Sequence, residues 1–294
     1  MSCFSKAALS AGIILFSAMA STHNAGAEPI LGAVRGIERD LGARVGFYMH
    51  DTQTDAKLSY ADNDRFPLNS TFKLLACGAF LSRVEAGTSR LADTVSLEDL
   101  EIVTYSPAIE DHVSAGKTEV SFDEACRMML SVSDNSAANI VLGEIDGPAG
   151  LTAFLRSIGD DQTRLDRWET ALNEAVPGDL RDTTTPRAIA HSMEQLILGK
   201  AISPASQTLL QEWLSHHSVA GDLFRAALPS SWSIADRTGA GGYGSRSIIA
   251  VLYPPDRNPI IATLFMTETE ASFKDRNAAV ARVGAAIVAS VAAD

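Results

Sequence analysis

The sequence predicts an α+β protein. One antiparallel sheet of about five strands, assembled from both chain ends and covered by terminal helices, packs beside an all-helical lobe. Three observations carry this expectation. Near the start, Val45, Phe47 and Met49 alternate with other residues, the mark of a half-buried strand. Near the end, Trp232–Asp236, Ile248–Tyr253 and Ile260–Met266 are β-rich and separated by Gly, Pro or Asn turns. Between them, from about 70 to 225, apolar residues recur at helical spacing. Strands from both ends meeting in one sheet leave a cleft between the sheet lobe and the helical lobe, where a small-molecule site is expected.

Taken in order, residues 1–27 read as a cleaved signal peptide. Lys6 supplies the positive region, Ala7 to Ala20 the apolar stretch and Ala25-Gly26-Ala27 the small-residue cleavage site. The remainder, 28–294, has even composition with no linker or repeat, so it is expected to form one unit. After Pro29, Ile30, Val34, Ile37 and Leu41 follow helical spacing, and Lys57–Ala61 forms a hairpin partner for the first strand. Helices are expected from Leu74 to near Gly87 and over Ser121–Leu130, Gly150–Ile158, Thr185–Leu198 and Ser203–Leu214. Gly159 to Thr185 breaks periodicity and reads as a long loop, a feature often functional in compact domains. A last helix runs from about Asn277 to Val291. The sheet lobe would then comprise about 28–68 and 228–294, and the helical lobe about 69–227.

Charge narrows the partner. The chain carries a net charge of −12, and loss of Lys6 with the leader makes it one charge more negative. Nucleic acid is excluded, because phosphate binding needs a basic patch. No membrane contact is expected after cleavage, and a periplasmic or secreted monomer acting on a small molecule fits. Cys77 and Cys126 are the pair left once Cys3 departs; an even pair in an exported chain favours a disulfide over two buried thiols. No HExxH occurs, and the adjacent His216-His217 reads as a solvated pair near a helix end. Neither metal nor cofactor is expected.

Three short motifs carry the chemistry. Ser70-Thr71-Phe72-Lys73 opens the first central helix. Residues three apart share a helical face, so Lys73 can reach the Ser70 hydroxyl, and free N–H groups at a helix start can face an oxyanion. A serine hydroxyl is a weak nucleophile without a neighbour to take its proton. Ser133-Asp134-Asn135 precedes an apolar run, and its bland reading is a helix cap. Arg237-Thr238-Gly239 ends a predicted strand, where a cation beside a hydroxyl can hold a carboxylate and glycine permits close approach.

Together and in this order, these motifs resemble the S-x-x-K, S-D-N and K-T-G signature of class A β-lactamases and penicillin-binding proteins. The resemblance to class A β-lactamases spans nearly all of 28–294. It includes Arg164-Leu165-Asp166-Arg167-Trp168-Glu169, Leu172-Asn173-Glu174 and Arg181-Asp182-Thr183-Thr184, in what looks like the family's Ω loop. Arg237 departs from the family's lysine, as in its carbenicillin-hydrolysing branch. The resemblance implies Ser70 as nucleophile, with its own N–H and that of Ala240 as the oxyanion hole. Lys73 would shuttle protons, Ser133 would protonate the leaving nitrogen, and Asn135 would bind the side-chain amide. Glu169 with Asn173 would hold and deprotonate a water. Arg237, Thr238, Gly239 and Arg246 would form the carboxylate site, Tyr105 would wall the cleft, and Arg167 with Asp182 would clamp the loop. Cys77 and Cys126 sit where many members carry a disulfide.

Decoys and rivals stand beside this reading. Ser114-Ala115-Gly116-Lys117 is a second S-x-x-K but lacks a following apolar helix. Gly239 to Gly244 matches GxGxxG yet precedes a β-rich run, which suggests a turn between strands. A D,D-peptidase would share Ser70, Lys73 and Ser133 but lack a deacylating carboxylate such as Glu169. A non-catalytic β-lactam sensor would remain tethered to a membrane.

Overall fold

The computed structural model describes residues 23–215 and 219–292. Most of the expected leader, and the pair His216-His217, lie outside these residues. Helix α1 (His23–Leu41) begins ahead of Ala25-Gly26-Ala27 and contains Pro29. It leads into strand β1 (Arg44–Asp51), which turns back as β2 (Ala56–Tyr60). The chain leaves the sheet through β3 (Phe66–Pro67) and a 3₁₀ turn, Asn69–Thr71, into α2 (Phe72–Glu85).

The helical lobe continues with β4 (Thr94–Ser96), α3 (Pro107–Ser114), β5 (Glu119–Ser121), α4 (Phe122–Ser131), α5 (Asn135–Glu144) and α6 (Gly147–Ser157). A long loop holding the 3₁₀ turn Ala171–Asn173 leads to β6 (Thr183–Thr184), α7 (Pro186–Ile197) and α8 (Pro204–Ser215). A further 3₁₀ turn, Phe224–Ala227, returns the chain to β7 (Ser233–Ala240), β8 (Arg246–Tyr253) and β9 (Ile260–Thr267), and α9 (Phe273–Ala292) follows. The five-stranded sheet is antiparallel throughout, in the order β2-β1-β9-β8-β7.

Both faces of this sheet are covered, which explains why β8 and β9 read as continuous apolar runs. Ile248, Ala250 and Leu252 pack with Ile30, Val34, Val280 and Val283 of the terminal helices. Ile249 and Val251 face the other way and join the core of the helical lobe with Phe80, Leu142 and Trp213. Edge strand β2 keeps one side solvated.

Helix starts follow local chemistry. Ser121 and Glu124 form a reciprocal capping box at α4, and Thr185 caps α7 with Pro186 in its first turn. Helix α3 has no counterpart among the helices expected from the sequence. Only Ile109 of that helix is buried, so it shows no apolar stripe. The second S-x-x-K, Ser114 to Lys117, is the exposed end of α3 and its turn. Among the described residues, no helix is long and apolar enough to cross a membrane.

Candidate active site

Ser70 lies in the turn that feeds α2, where no side chain caps the backbone. Its Oγ accepts a hydrogen bond from the Ser133 hydroxyl at 3.1 Å. Lys73 Nζ donates to Asn135 Oδ1 at 2.6 Å, to the Ser133 carbonyl at 2.8 Å and to Ser133 Oγ at 3.3 Å. Lys73 therefore reaches Ser70 through the Ser133 hydroxyl. Arg237 Nη2 donates to the same oxygen at 2.5 Å. A hydroxyl accepts two hydrogen bonds and donates one, so Ser133 is used to capacity with its proton aimed at Ser70.

Ser133 adopts φ 66°, and Asp134 behind it caps two helices at once. The Asp134 carboxylate accepts from Ala137 N of α5 and from Ala108 N and Ile109 N of α3. The bland reading of this motif thus holds for its middle residue, while its two neighbours face the cleft.

The long loop brings Glu169 against Lys73. Glu169 Oε1 is 3.1 Å from Lys73 Nζ, with both side chains fully buried. Burial pushes the Lys73 ammonium down to about 8; the Glu169 carboxylate opposes that shift, and the Arg237 charge adds to it. Asn173 Nδ2 donates to Glu169 Oε2 at 2.6 Å. Asp182 holds the loop by accepting from Asp166 N, Arg167 N and Arg167 Nε at 2.7, 2.9 and 2.6 Å. Arg167 also pairs with Glu174 at 2.5 Å.

A cleft of about 490 Å³ opens over Ser70, within the range of small-molecule sites. Tyr105, Ser133, Asn135, Asn173, Thr238, Gly239, Ala240 and Arg246 line it. Tyr105 is half exposed, and its carbonyl accepts from Asn135 N at 3.0 Å. Arg246 donates to Asn277 Oδ1 at 2.8 Å and to the Gly239 carbonyl at 3.1 Å; burial pushes its guanidinium down to about 10. Arg237 departs from expectation. It is wholly buried behind the cleft wall, where it bonds Ser133 Oγ, the Ser70 carbonyl at 3.1 Å and the Leu130 carbonyl at 3.4 Å.

Comparison with known proteins places this arrangement. Residues 32–291 match the model of the beta-lactamase enzyme family. The fold also superposes on the ancestral class A beta-lactamase of Gram-negative bacteria with a TM-score of 0.85, at 43% identity, covering 88% of this chain and 99% of that one. The chain belongs to this family: it is a class A β-lactamase. Beta-lactamase AER-1 of Aeromonas hydrophila is 45% identical over 263 residues, 90% of this chain and 86% of the relative. Beta-lactamase CARB-3 of Pseudomonas aeruginosa is 46% identical over 254 residues, 86% and 87% of the two chains. The chromosome-encoded beta-lactamase of Vibrio parahaemolyticus superposes with a TM-score of 0.84 at 41% identity, covering 88% of this chain and 98% of that one.

Several residues of this β-lactamase site escaped the sequence reading. Asn139 donates to the Glu169 carbonyl and accepts from Glu169 N, both at 3.0 Å, so one amide grips both sides of that residue. Its signal was a lone amide inside the apolar run of α5, one turn after Asn135. Phe273 and Val219 border the cleft from segments distant in sequence. The GxGxxG run is the end of β7 and the β7–β8 turn, and its Gly241 and Gly242 approach the long loop. Gly242 N donates to the Asn173 carbonyl at 2.9 Å, and a Cβ there would overlap the Glu174 carbonyl.

The expected disulfide requires correction. Cys77 of α2 and Cys126 of α4 are both buried free thiols in this structure. Burial pushes the Cys126 thiol well above its ordinary range, and the neighbouring Cys77 adds to that shift. The helices bring the pair together as expected, without the covalent bond.

Proposed function

We propose that this β-lactamase opens penicillin-type rings by acylation of Ser70 and releases the product with a water activated by Glu169. The observation that carries the reading is one continuous chain of contacts: Ser70–Ser133–Lys73–Glu169–Asn173. It joins a nucleophile, a proton route and a second carboxylate around one cleft.

Ser70 Oγ attacks the lactam carbonyl as its proton passes to the neutral amine form of Lys73, which burial makes accessible by pushing the ammonium down to about 8. The developing oxyanion is received by the N–H groups of Ser70 and Ala240. Lys73 relays a proton through Ser133, whose hydroxyl delivers it to the departing ring nitrogen as the C–N bond breaks. Asn135 receives the amide of the substrate side chain, and Tyr105 flanks it. Thr238 and Arg246 receive the ring carboxylate beside Gly239, and the Arg237 charge supports them from behind while anchoring Ser133. Glu169, with Asn173, holds a water and takes its proton as the ester is attacked. The clamp of Arg167 and Asp182 keeps that carboxylate in reach.

Arginine at position 237 supports placement in the carbenicillin-hydrolysing branch, with penicillins as the main substrates. The signal-like residues 1–27 support export and action in the periplasm or outside the cell. The D,D-peptidase reading is disfavoured by the Glu169–Asn173 pair beside the cleft, which a peptidase of that class lacks.

Peptide mapping after brief exposure to a slowly released β-lactam tests the assignment. The adduct is expected on the Ser70 peptide, with many turnovers of a chromogenic β-lactam per enzyme. An adduct on the Ser114 peptide, or a single turnover, would overturn it.

A further inference from the structure

Asn69, the residue before the nucleophile, performs no step in the scheme above, yet its placement is unusual. It is wholly buried and adopts φ 43°, a left-handed conformation that asparagine tolerates better than most residues. Its Nδ2 donates to Ser245 Oγ at 3.0 Å. Its Oδ1 is buried without a hydrogen-bond partner.

Gly239, in β7, and Gly241, just past its end, show where this side chain packs. A Cβ on Gly239 would lie 3.1 Å from Asn69 Cβ, and one on Gly241 would overlap Asn69 Oδ1. Asn69 therefore fills the space beneath β7 on both sides of Ala240. Ser245, which holds the other end of its amide, closes the β7–β8 turn: its N–H donates to the Gly242 carbonyl at 3.0 Å, and its carbonyl accepts from Gly241 N at 3.4 Å. Ser245 also precedes Arg246 in the chain.

We propose that Asn69 is the positioning residue of the oxyanion hole, setting the separation between its two donors. The assignment rests on the reading of Ser70 N–H and Ala240 N–H as those donors. Asn69 is joined through its peptide bond to the first and packs under the second, and its bond to Ser245 fixes the height of the strand end. An apolar side chain of similar volume would fill the space without tying the turn. Asparagine meets both demands, tolerating the left-handed backbone and carrying the amide.

Two variants test this. Asn69→Leu removes the bond while keeping the branched shape of the side chain, at the cost of added bulk, and Ser245→Ala removes it from the other side without disturbing the Asn69 backbone. Loss of a whole oxyanion donor costs about 10²–10³ in rate, so misplacing one is expected to lower kcat/KM for benzylpenicillin about tenfold in each variant. The double variant should lose no more than either single one, because both remove the same contact. In a Glu169→Ala background, the infrared carbonyl band of the benzylpenicillin acyl-enzyme should move to higher wavenumber in each variant, as the hole polarises it less. Parental kcat/KM in Ser245→Ala with an unmoved carbonyl band overturns the proposal, whether or not Asn69→Leu folds. Failure of the Glu169→Ala parent to hold an acyl-enzyme tells instead against the deacylation reading; kcat/KM with Glu169 intact then decides on Asn69.

Discussion

Lys73 Nζ stands 3.1 Å from Glu169 Oε1, and neither side chain reaches solvent. The pair links the residue that serves ring opening to the one that serves release. Its proton balance follows from its surroundings. Burial disfavours the ammonium and holds Lys73 at about 8 instead of 10.5, while the Glu169 charge favours the ammonium and the Arg237 charge disfavours it.

Removing the Glu169 charge in Glu169→Gln takes away what supports the ammonium, so the Lys73 inflection should fall below 8. Removing the Arg237 charge in Arg237→Ala should raise it. Carbon-13 NMR titration of labelled lysine side chains follows both. An inflection in Glu169→Gln at or above that of the wild type would contradict the electrostatic account.

Arg237 and Arg246 should fail differently. Arg237 touches Ser133 and the Ser70 backbone from behind, whereas Arg246 lines the cleft. A hydrogen bond to a charged group contributes about 1.5–3 kcal/mol, which corresponds to roughly ten- to a hundredfold in kcat/KM. Arg237→Ala is expected to lose this mainly in kcat, because Ser133 loses its anchor. Arg246→Ala is expected to lose it mainly in KM. Arg237→Lys, which keeps the charge but not the fork, should retain more activity than Arg237→Ala. Steady-state kinetics on one penicillin separate the cases, and a pure KM effect in Arg237→Ala would remove the anchoring role.

The loop clamp has a stability signature. Asp182 is nearly wholly buried and accepts three hydrogen bonds, two of them from Arg167. Removing one partner of a buried pair costs about 3–5 kcal/mol. Asp182→Ala should lose stability in urea on the lower side of that range, since Arg167 keeps Glu174 and some solvent contact. A loss under about 0.5 kcal/mol, the size of an ordinary surface change, would show that the loop is held elsewhere.

Asn139 predicts a selective defect. Because its amide grips both backbone groups of Glu169, Asn139→Ala should slow release of the acyl-enzyme more than its formation. Rapid-quench mass measurement should find acyl-enzyme at steady state, where the wild type shows little. Equal slowing of both steps would point to a general loss of structure.

Much of this was legible in the chain because the relevant signals are local. The alternation of Val45, Phe47 and Met49, the capping chemistry at Ser121 and Thr185, and the three-residue spacing of Ser70 and Lys73 each act within a turn or two. What escaped depends on long-range packing. Arg237 could be read as a cation on a strand, but not as one turned inward to Ser133 across 104 positions. Helix α3 is mostly solvated and carries no periodic stripe. Asn139 grips a backbone thirty residues away, and no spacing rule announces such a contact. The Cys77 and Cys126 pairing was legible as proximity; the covalent state was not.

Release of the Ser70 ester by Glu169 is the central claim, and one variant tests it most directly. Water at neutral pH attacks an ester poorly, and a positioned general base contributes about 10²–10⁴-fold. Glu169→Ala mixed with a penicillin should give a burst of about one product per enzyme, then turnover slowed by at least ~10²-fold. Intact-mass spectrometry should find the stable penicilloyl adduct, and peptide mapping should place it on Ser70. Near-normal steady-state turnover by Glu169→Ala, with no adduct, would mean that another group activates the water and would contradict the account.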